Sequence, residues 1–140
     1  MEEHNFLNFK KAPYLELDKY KAPKGINAYY VPMDDGIKLR VCHWIGNSEE
    51  TKGTILLQQG HNEFIEKYYE TIQEFLDKNY SVIAFDWRGQ GMSEHQIKDI
   101  NKAFIKDFKR HDKDLKYILD EIIKKNFPKP LIGIGHSMGG

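Results

Sequence analysis

The chain has 140 residues, of which 40% are hydrophobic and 13% aromatic, enough apolar surface for one domain with a core. Its 21 basic and 21 acidic side chains balance, so no net charge favours nucleic acid or an anionic membrane as a partner. The single cysteine, Cys42, has no partner for a disulfide or a thiolate metal site and is expected to be a buried structural thiol. Neither a secretory signal nor a membrane span of roughly 20 apolar residues is visible, so a cytoplasmic protein is expected.

The first predicted elements are a lead-in and a β-hairpin. Residues 1–25 carry proline and glycine among lysines and aromatics, and we expect an irregular lead-in to a domain that spans residues 26–140. Two β-rich runs, 27–31 and 37–45, flank the turn signal Asp35-Gly36 and predict a hairpin. In the second run Lys38, Arg40 and Cys42 alternate with Leu39, Val41 and His43, as in a half-exposed strand.

Strands and helices then alternate. The runs 53–58 and 81–85 are short and apolar, which is typical of strands buried on both faces. Between them, apolar residues of 64–78 recur at steps of three and four, which predicts an amphipathic helix that Asn79 ends in the left-handed region. A glycine-rich loop and a polar segment follow the second of these strands.

A long second helix and a last strand complete the pattern. Asn101 is the predicted N-cap, and Pro128 and Pro130 close the helix. The last strand is predicted at Leu131–Ile134. One helix face is marked by Phe104, Phe108, Leu115, Ile118, Leu119, Ile122 and Ile123. Together these elements predict an α/β fold in which an antiparallel hairpin leads into parallel βαβ units.

The end of the chain carries the strongest motif, Gly-x-Ser-x-Gly at Gly135, Ser137 and Gly139, directly after the last predicted strand. This pattern is typical of a nucleophilic serine on a tight, strained strand-to-helix turn, where flanking side chains would collide with the neighbouring elements. The backbone N–H of Met138 would point to where an oxyanion forms. The alternative is a glycine-rich turn with an incidental serine.

A second loop, Gln59 to Glu63, lies between the first buried strand and the first helix. Gly60 permits close backbone approach, and an N–H from such a loop is the usual second oxyanion donor. We expect that donor to be the backbone N–H of His61, in preference to a role for its imidazole as catalytic base. His136 is expected to point away from the serine and to bond locally.

The third motif, Asp86 to Ser93, follows the second buried strand, where α/β sheets place ligand crevices. We interpret it as a tight turn at Gly89 and Gly91, in which Asp86 and Arg88 bond backbone amides and carbonyls. These residues, with Ser93, are expected to shape the loop and to take no part in chemistry.

Together the three motifs resemble the α/β-hydrolase superfamily and are most similar to its lysophospholipase and monoacylglycerol-lipase branch, the S33-like serine hydrolases. The resemblance runs from about residue 26 to the end, and residues 63–68 are similar to bacterial lysophospholipases of the L2 type. It implies that Ser137 is the nucleophile, that Met138 and His61 form the oxyanion hole, and that no metal or organic cofactor is needed. Gln59 stands where the family often has histidine, and it can still hydrogen-bond.

The resemblance also implies a small lipid ester as substrate, which allows transient contact with a membrane surface. In this fold the triad acid and histidine follow the serine in the chain, and neither follows Ser137 here. Without a base, activity should drop by orders of magnitude. We also expect strand Leu131–Ile134 to lie at an exposed apolar edge that invites aggregation.

Three hypotheses stay open. The chain is an incomplete part of a serine ester hydrolase whose C-terminal remainder is encoded downstream or separately. Alternatively, it is a catalytically inactive truncated product or a binding module of the same fold. The third and least favoured hypothesis is a phosphate-binding glycine loop at Gly133, Gly135 and Gly139, which leaves the other two motifs unexplained.

Overall fold

The computed structural model describes residues 8–46, 49–98 and 107–140. Its strands are β1 (Lys10–Lys11), β2 (Asn27–Pro32), β3 (Lys38–Trp44), β4 (Thr54–Gln58), β5 (Ser81–Phe85) and β6 (Leu131–Gly135). Its α-helices are α1 (Tyr69–Asp77), α2 (Lys109–Ile118) and α3 (Lys124–Asn126). A 3-10 turn at Ile65–Tyr68 precedes α1, a π-helical turn at Leu119–Ile123 joins α2 to α3, and a 3-10 turn at Ser137–Gly139 follows β6.

The strands form one mixed sheet in the order β1-β2-β3-β5-β4-β6. β2 and β3 pair as the predicted antiparallel hairpin, with Gly36 at a φ of +87° in the connecting turn. β3 pairs antiparallel with β5, and β4 pairs in parallel with both β5 and β6. The α/β prediction is therefore confirmed. The carboxyl ends of the three parallel strands meet at one edge, where the predicted site loops begin.

Two apolar clusters cover opposite faces of this sheet, because successive strand residues point to opposite sides. On one face Leu56 and Ile83 pack in a cluster with Ile118. On the other face Val82 packs in a cluster with Ile72 of α1. Each helix thus buries its apolar stripe against one face of the sheet, as a layered α/β domain requires.

The half-exposed prediction for β3 is wrong, because both faces of the strand are covered. Arg40 and Cys42 are 0% exposed, and burial raises the pKa of the Cys42 thiol to about 12. The Arg40 guanidinium is accommodated by two carboxylates: it bonds both oxygens of Glu66, at 2.6 and 2.8 Å, and Oδ2 of Asp86 at 2.8 Å. A buried charge needs such partners, and they lie far from Arg40 in sequence.

Other differences concern the ends of elements. The lead-in contributes β1, which adds Lys10–Lys11 to the edge of the hairpin. The predicted helix over 64–78 begins as a 3-10 turn and ends as expected, with Asn79 at a φ of +67°. Among the described residues, no helix is long and apolar enough to cross a membrane.

The second helix differs more from its prediction. Its predicted start at Asn101 and its first apolar residue, Phe104, lie outside the described residues, and α2 begins at Lys109. Phe108 is 62% exposed and does not belong to the buried face. In the described part of the sheet, β6 is an edge strand, and its Ile132 is 36% exposed.

Replacing Arg40 by methionine tests the buried ion cluster. Arg40→Met leaves the carboxylates of Asp86 and Glu66 buried without their cation, so the free energy of unfolding should fall by about 3–5 kcal/mol. Chemical denaturation measures this loss. Lys38→Met, at the exposed start of the same strand, is the matched control and should change stability by less than about 0.5 kcal/mol. Equal losses in the free energy of unfolding for the two variants would contradict the role of Arg40 as the cation of a buried ion cluster.

His43 gives the fold a pH dependence. Its imidazole is buried, accepts or donates a 2.8 Å hydrogen bond with the Tyr29 hydroxyl, and packs edge-on against Phe127. Burial lowers the pKa of His43 from 6.5 to about 4. Between these pH values the unfolded chain binds the proton and the folded chain does not, so stability falls as the pH drops from 6.5 towards 4.

His43→Gln should remove that part of the pH dependence, which amounts to at most roughly 3 kcal/mol across the interval. Urea unfolding of wild type and variant at several pH values between 4 and 7 measures it. His61→Gln, at an exposed site, should keep the wild-type slope. A His43→Gln protein with the wild-type slope would show that His43 is not the responsible group.

Candidate active site

The Gly-x-Ser-x-Gly motif forms a tight turn at the carboxyl end of β6. Ser137 has a φ of +56°, a left-handed conformation that is strained for a residue with a β-carbon. A β-carbon on Gly135 would lie 2.4 Å from the carbonyl oxygen of Gly139, and one on Gly139 would lie 2.3 Å from that of Gln58. Both positions therefore require glycine, as the motif predicts.

The turn is held against the neighbouring strand. The N–H of His136 donates to the carbonyl of Gln58 at 3.0 Å, and the N–H of Gly139 donates to the carbonyl of His136 at 3.0 Å. Ser137 itself is exposed, and none of the described side chains hydrogen-bonds to its hydroxyl. The serine is thus presented to solvent on a tight turn.

The loop after β4 lies directly beside this serine. A β-carbon on Gly60 would lie 3.2 Å from Cβ of Ser137 and 3.3 Å from the carbonyl oxygen of His136. His61 is exposed at the next position. The structure therefore brings together the two backbone segments that the sequence analysis assigned to an oxyanion hole, those of His61 and Met138.

The Asp86 carboxylate bonds residues on both sides of this loop, Gln59 and Ile65. This carboxylate is fully buried and accepts hydrogen bonds from the backbone N–H of Ile65 and Met92, besides the bond from Arg40. Gln59 donates its side-chain amide to Oδ1 of Asp86 at 2.9 Å and to the carbonyl of Phe85 at 2.8 Å. Gln59 therefore fixes the start of this loop to the end of β5.

The Asp86–Ser93 segment makes further contacts with the loop after β4. The Trp87 indole donates to the carbonyl of Gln59 at 2.7 Å, and the Gln90 side chain accepts the N–H of Asn62 at 2.6 Å. These bonds hold the segment against the Gln59–Glu63 loop, which carries the proposed oxyanion donor, and so help to fix the position of that loop.

The glycines and the serine of this segment stabilise the Asp86–Ser93 turn itself. Gly89 and Gly91 have φ values of +73° and +54°, and a β-carbon on Gly91 would lie 2.4 Å from the Asp86 carboxylate. The Ser93 hydroxyl donates to the carbonyl of Asp86 at 2.6 Å and accepts the backbone N–H of Arg40 at 2.9 Å.

The prediction that Arg88 bonds backbone groups is wrong. Arg88 bonds carboxylates, with Nε 2.9 Å from Asp114 in α2 and Nη1 2.6 Å from Asp35 in the hairpin turn. The hydrogen bond from Arg88 lowers the pKa of Asp35 to about 2. A guanidinium prefers paired carboxylate oxygens to single carbonyls. Arg88 thus joins α2 to the hairpin and does not reach the candidate site.

Glu63 is the residue of the site to which sequence reasoning assigned no role. Its Oε1 accepts the N–H of Gly60 at 2.7 Å, the Tyr68 hydroxyl at 2.7 Å and Nδ1 of His136 at 2.8 Å, while Oε2 lies 2.5 Å from Nζ of Lys67. Burial by itself raises the pKa of Glu63, but these four hydrogen bonds together lower it to about 2. The helical spacing of Glu63 and Lys67 is the only part of this cluster that the sequence signals.

The prediction that His136 bonds locally is wrong, because its ring bonds side chains about 70 residues earlier in the chain. Its ring is held by Glu63, and Tyr68 lies 3.3 Å from the same nitrogen. Burial and the neighbouring Glu63 carboxylate raise the pKa of Tyr68 to about 12, so the phenol stays a hydrogen-bond donor at neutral pH.

Comparison with known proteins gives the family context. At the sequence level, 110 residues are 27% identical to a probable lysophospholipase L2 of Haemophilus influenzae, covering 79% of this chain and 34% of the relative. The fold is similar to that of a soluble variant of monoglyceride lipase from Saccharomyces cerevisiae, with a TM-score of 0.64 and 24% identity over 91% of this chain and 38% of that one. A thermostable carboxyl esterase from Bacillus coagulans has the same TM-score, with 19% identity over 84% and 38% of the two chains.

The chain spans about a third of the length of these relatives. The sequence model of the hydrolase family described as serine aminopeptidase, S33, matches residues 49–140, which include all three site loops. On this match, the chain belongs to the serine aminopeptidase S33 family of α/β hydrolases.

Proposed function

We propose that this protein is a serine hydrolase of the lysophospholipase and monoacylglycerol-lipase type, which cleaves the carboxylic ester of small lipids through an acyl-enzyme. The observation that carries the proposal is the geometry of Ser137, exposed at a φ of +56° and packed against Gly60. The similarity to a probable lysophospholipase and to a monoglyceride lipase supports the substrate class.

In the proposed mechanism the Ser137 hydroxyl attacks the acyl carbonyl of the ester while a general base removes its proton. The carbonyl oxygen becomes an oxyanion that accepts hydrogen bonds from the backbone N–H groups of Met138 and His61. Collapse of this intermediate breaks the ester bond, and the leaving alcohol takes the proton from the base. Water then attacks the acyl-enzyme by the same route and releases a fatty acid.

We assign the base and its supporting acid to a part of the hydrolase outside residues 1–140, in the same or a separately encoded polypeptide. We do not assign the imidazole of His136, the residue before Ser137, as this base, because its Nδ1 already bonds Oε1 of Glu63 at 2.8 Å. The second candidate is a catalytically inactive protein of the same fold, favoured by the engagement of the neighbouring His136 imidazole with Glu63.

Removal of the Ser137 hydroxyl separates these candidates. In the protein at its native length, Ser137→Ala should reduce hydrolysis of a 1-acyl lysophospholipid or a monoacylglycerol by at least about 10³-fold, because the acyl-enzyme cannot form. Fatty-acid release measures the rate, and a fluorophosphonate probe followed by peptide mass spectrometry locates the labelled residue.

The matched control is Thr71→Ala, which removes a hydroxyl from α1 and should keep the rate. A native-length protein without Ser137 labelling and without ester hydrolysis would support the inactive alternative. Undiminished hydrolysis by Ser137→Ala would contradict the proposed nucleophile.

Gly139 provides a second test. An alanine there would bring Cβ to 2.3 Å from the carbonyl oxygen of Gln58, so the turn must move away from β4. We expect a loss of about 10²-fold in kcat/KM for Gly139→Ala, since a displacement near 1 Å at a reacting atom has that effect. Gly133→Ala is the control, because its added Cβ would meet Nε2 of Gln58 at an ordinary 3.4 Å. Equal rates for the two variants would argue against a precisely placed turn.

A further inference from the structure

The Glu63 carboxylate joins two segments that are far apart in sequence. One of its donors, the Gly60 N–H, belongs to the loop after β4, and another, the His136 ring, belongs to the residue directly before Ser137. Both donate to the same oxygen, Oε1, at 2.7 and 2.8 Å. A single atom of Glu63 therefore links the loop to the serine turn.

Glu63 also closes its own loop. Its backbone N–H donates to the carbonyl of Gly60 at 3.4 Å, while its side chain accepts the N–H of Gly60. A β-carbon on Gly60 would lie 2.5 Å from Oε1 of Glu63, so the carboxylate fills the space that a side chain at position 60 would take. This reciprocal bonding fixes the backbone around His61, whose N–H is the proposed oxyanion donor.

The cluster is better suited to local positioning than to global stability. The side chains of Lys67 and His136 are 56% and 64% exposed, and ion pairs with such exposed partners contribute little to the free energy of folding. The Glu63 side chain itself is only 8% exposed, and all its donors lie within the loop, the following helical turns or the serine turn.

We propose that Glu63 is a positioning residue, whose carboxylate holds the Gly60–His61 loop against the His136–Ser137 turn and so sets the distance between the nucleophile and the oxyanion donor. This inference rests on the proposed function of Ser137. Its geometric part, the link between loop and turn, is testable whether or not the protein hydrolyses esters.

Backbone amide spectra of the purified protein test the link with Glu63→Gln, which keeps the shape of the side chain and removes its charge. The hydrogen bond from Gly60 becomes a neutral one, so its amide proton should shift upfield and exchange at least about tenfold faster. The amide signal of Ser137 should shift as well, although the hydrogen-bond donors of Glu63 among the described residues do not include Ser137. Glu74→Gln, the same change on the exposed face of α1, is the control.

Both variants should keep a single cooperative thermal transition, with the lower melting temperature in Glu63→Gln because the charged hydrogen bonds of Glu63 stabilise the fold, and this separates positioning from a general loss of fold. At native length, Glu63→Gln should lower kcat by about 10- to 100-fold with little change in KM, because only the transition state needs the oxyanion donors.

Two results are decisive. Gly60 and Ser137 amide signals that respond to Glu63→Gln no more than to Glu74→Gln would overturn the positioning role, even if Ser137 is labelled by a fluorophosphonate. Coupled shifts of both amides would establish the link, even if Ser137 is not labelled, in which case the proposed function alone fails.

Discussion

The buried carboxylate of Asp86 is the interaction on which the candidate site depends. It receives the guanidinium of Arg40 from β3, the side-chain amide of Gln59 from the end of β4, and the backbone N–H of Ile65 from the turn before α1. Each donor lies in a different element around the carboxyl ends of the parallel strands. Because a buried charge is costly unless its hydrogen bonds are complete, these elements are held in one arrangement.

The serine turn depends on a different constraint, the close approach of backbone to backbone. Gly139 packs where a β-carbon would overlap the carbonyl of Gln58, and β6 is in register with β4 up to Gly135. The left-handed conformation of Ser137 is stable only because these contacts on both sides of it leave no alternative. Strain of this kind at an exposed hydroxyl is typical of a nucleophile that is presented to a substrate.

Much of this arrangement is predictable from sequence, since it follows from local pattern. The turn at Asp35-Gly36, the buried strands β4 and β5, and the glycine requirement at positions 135 and 139 all depend on residues close together in the chain. The partners of charged side chains are not predictable in this way. Arg40 was expected on a half-exposed strand, yet it is covered because Glu66 and Asp86 come from elements 26 and 46 residues away.

The same reason explains why the role of Glu63 emerges only from the structure. Its contact with Lys67 is local, but its contact with His136 spans 73 residues and no periodicity signals it. Likewise, the sequence motif of Asp86–Ser93 indicates a tight turn, whereas its bonds to Gln59 and Asn62 require the parallel pairing of β4 and β5. Site residues that act through another loop are therefore those that sequence patterns miss.

As proposed, Ser137 is a nucleophile with an oxyanion hole formed by two backbone N–H groups. A crystal structure of the native-length protein after reaction with an alkyl fluorophosphonate tests it most directly. We expect phosphorus bound to Oγ of Ser137 and a phosphonyl oxygen about 2.7–3.1 Å from the backbone nitrogens of both Met138 and His61. An adduct on another residue, or a phosphonyl oxygen directed to solvent away from these two groups, would contradict it.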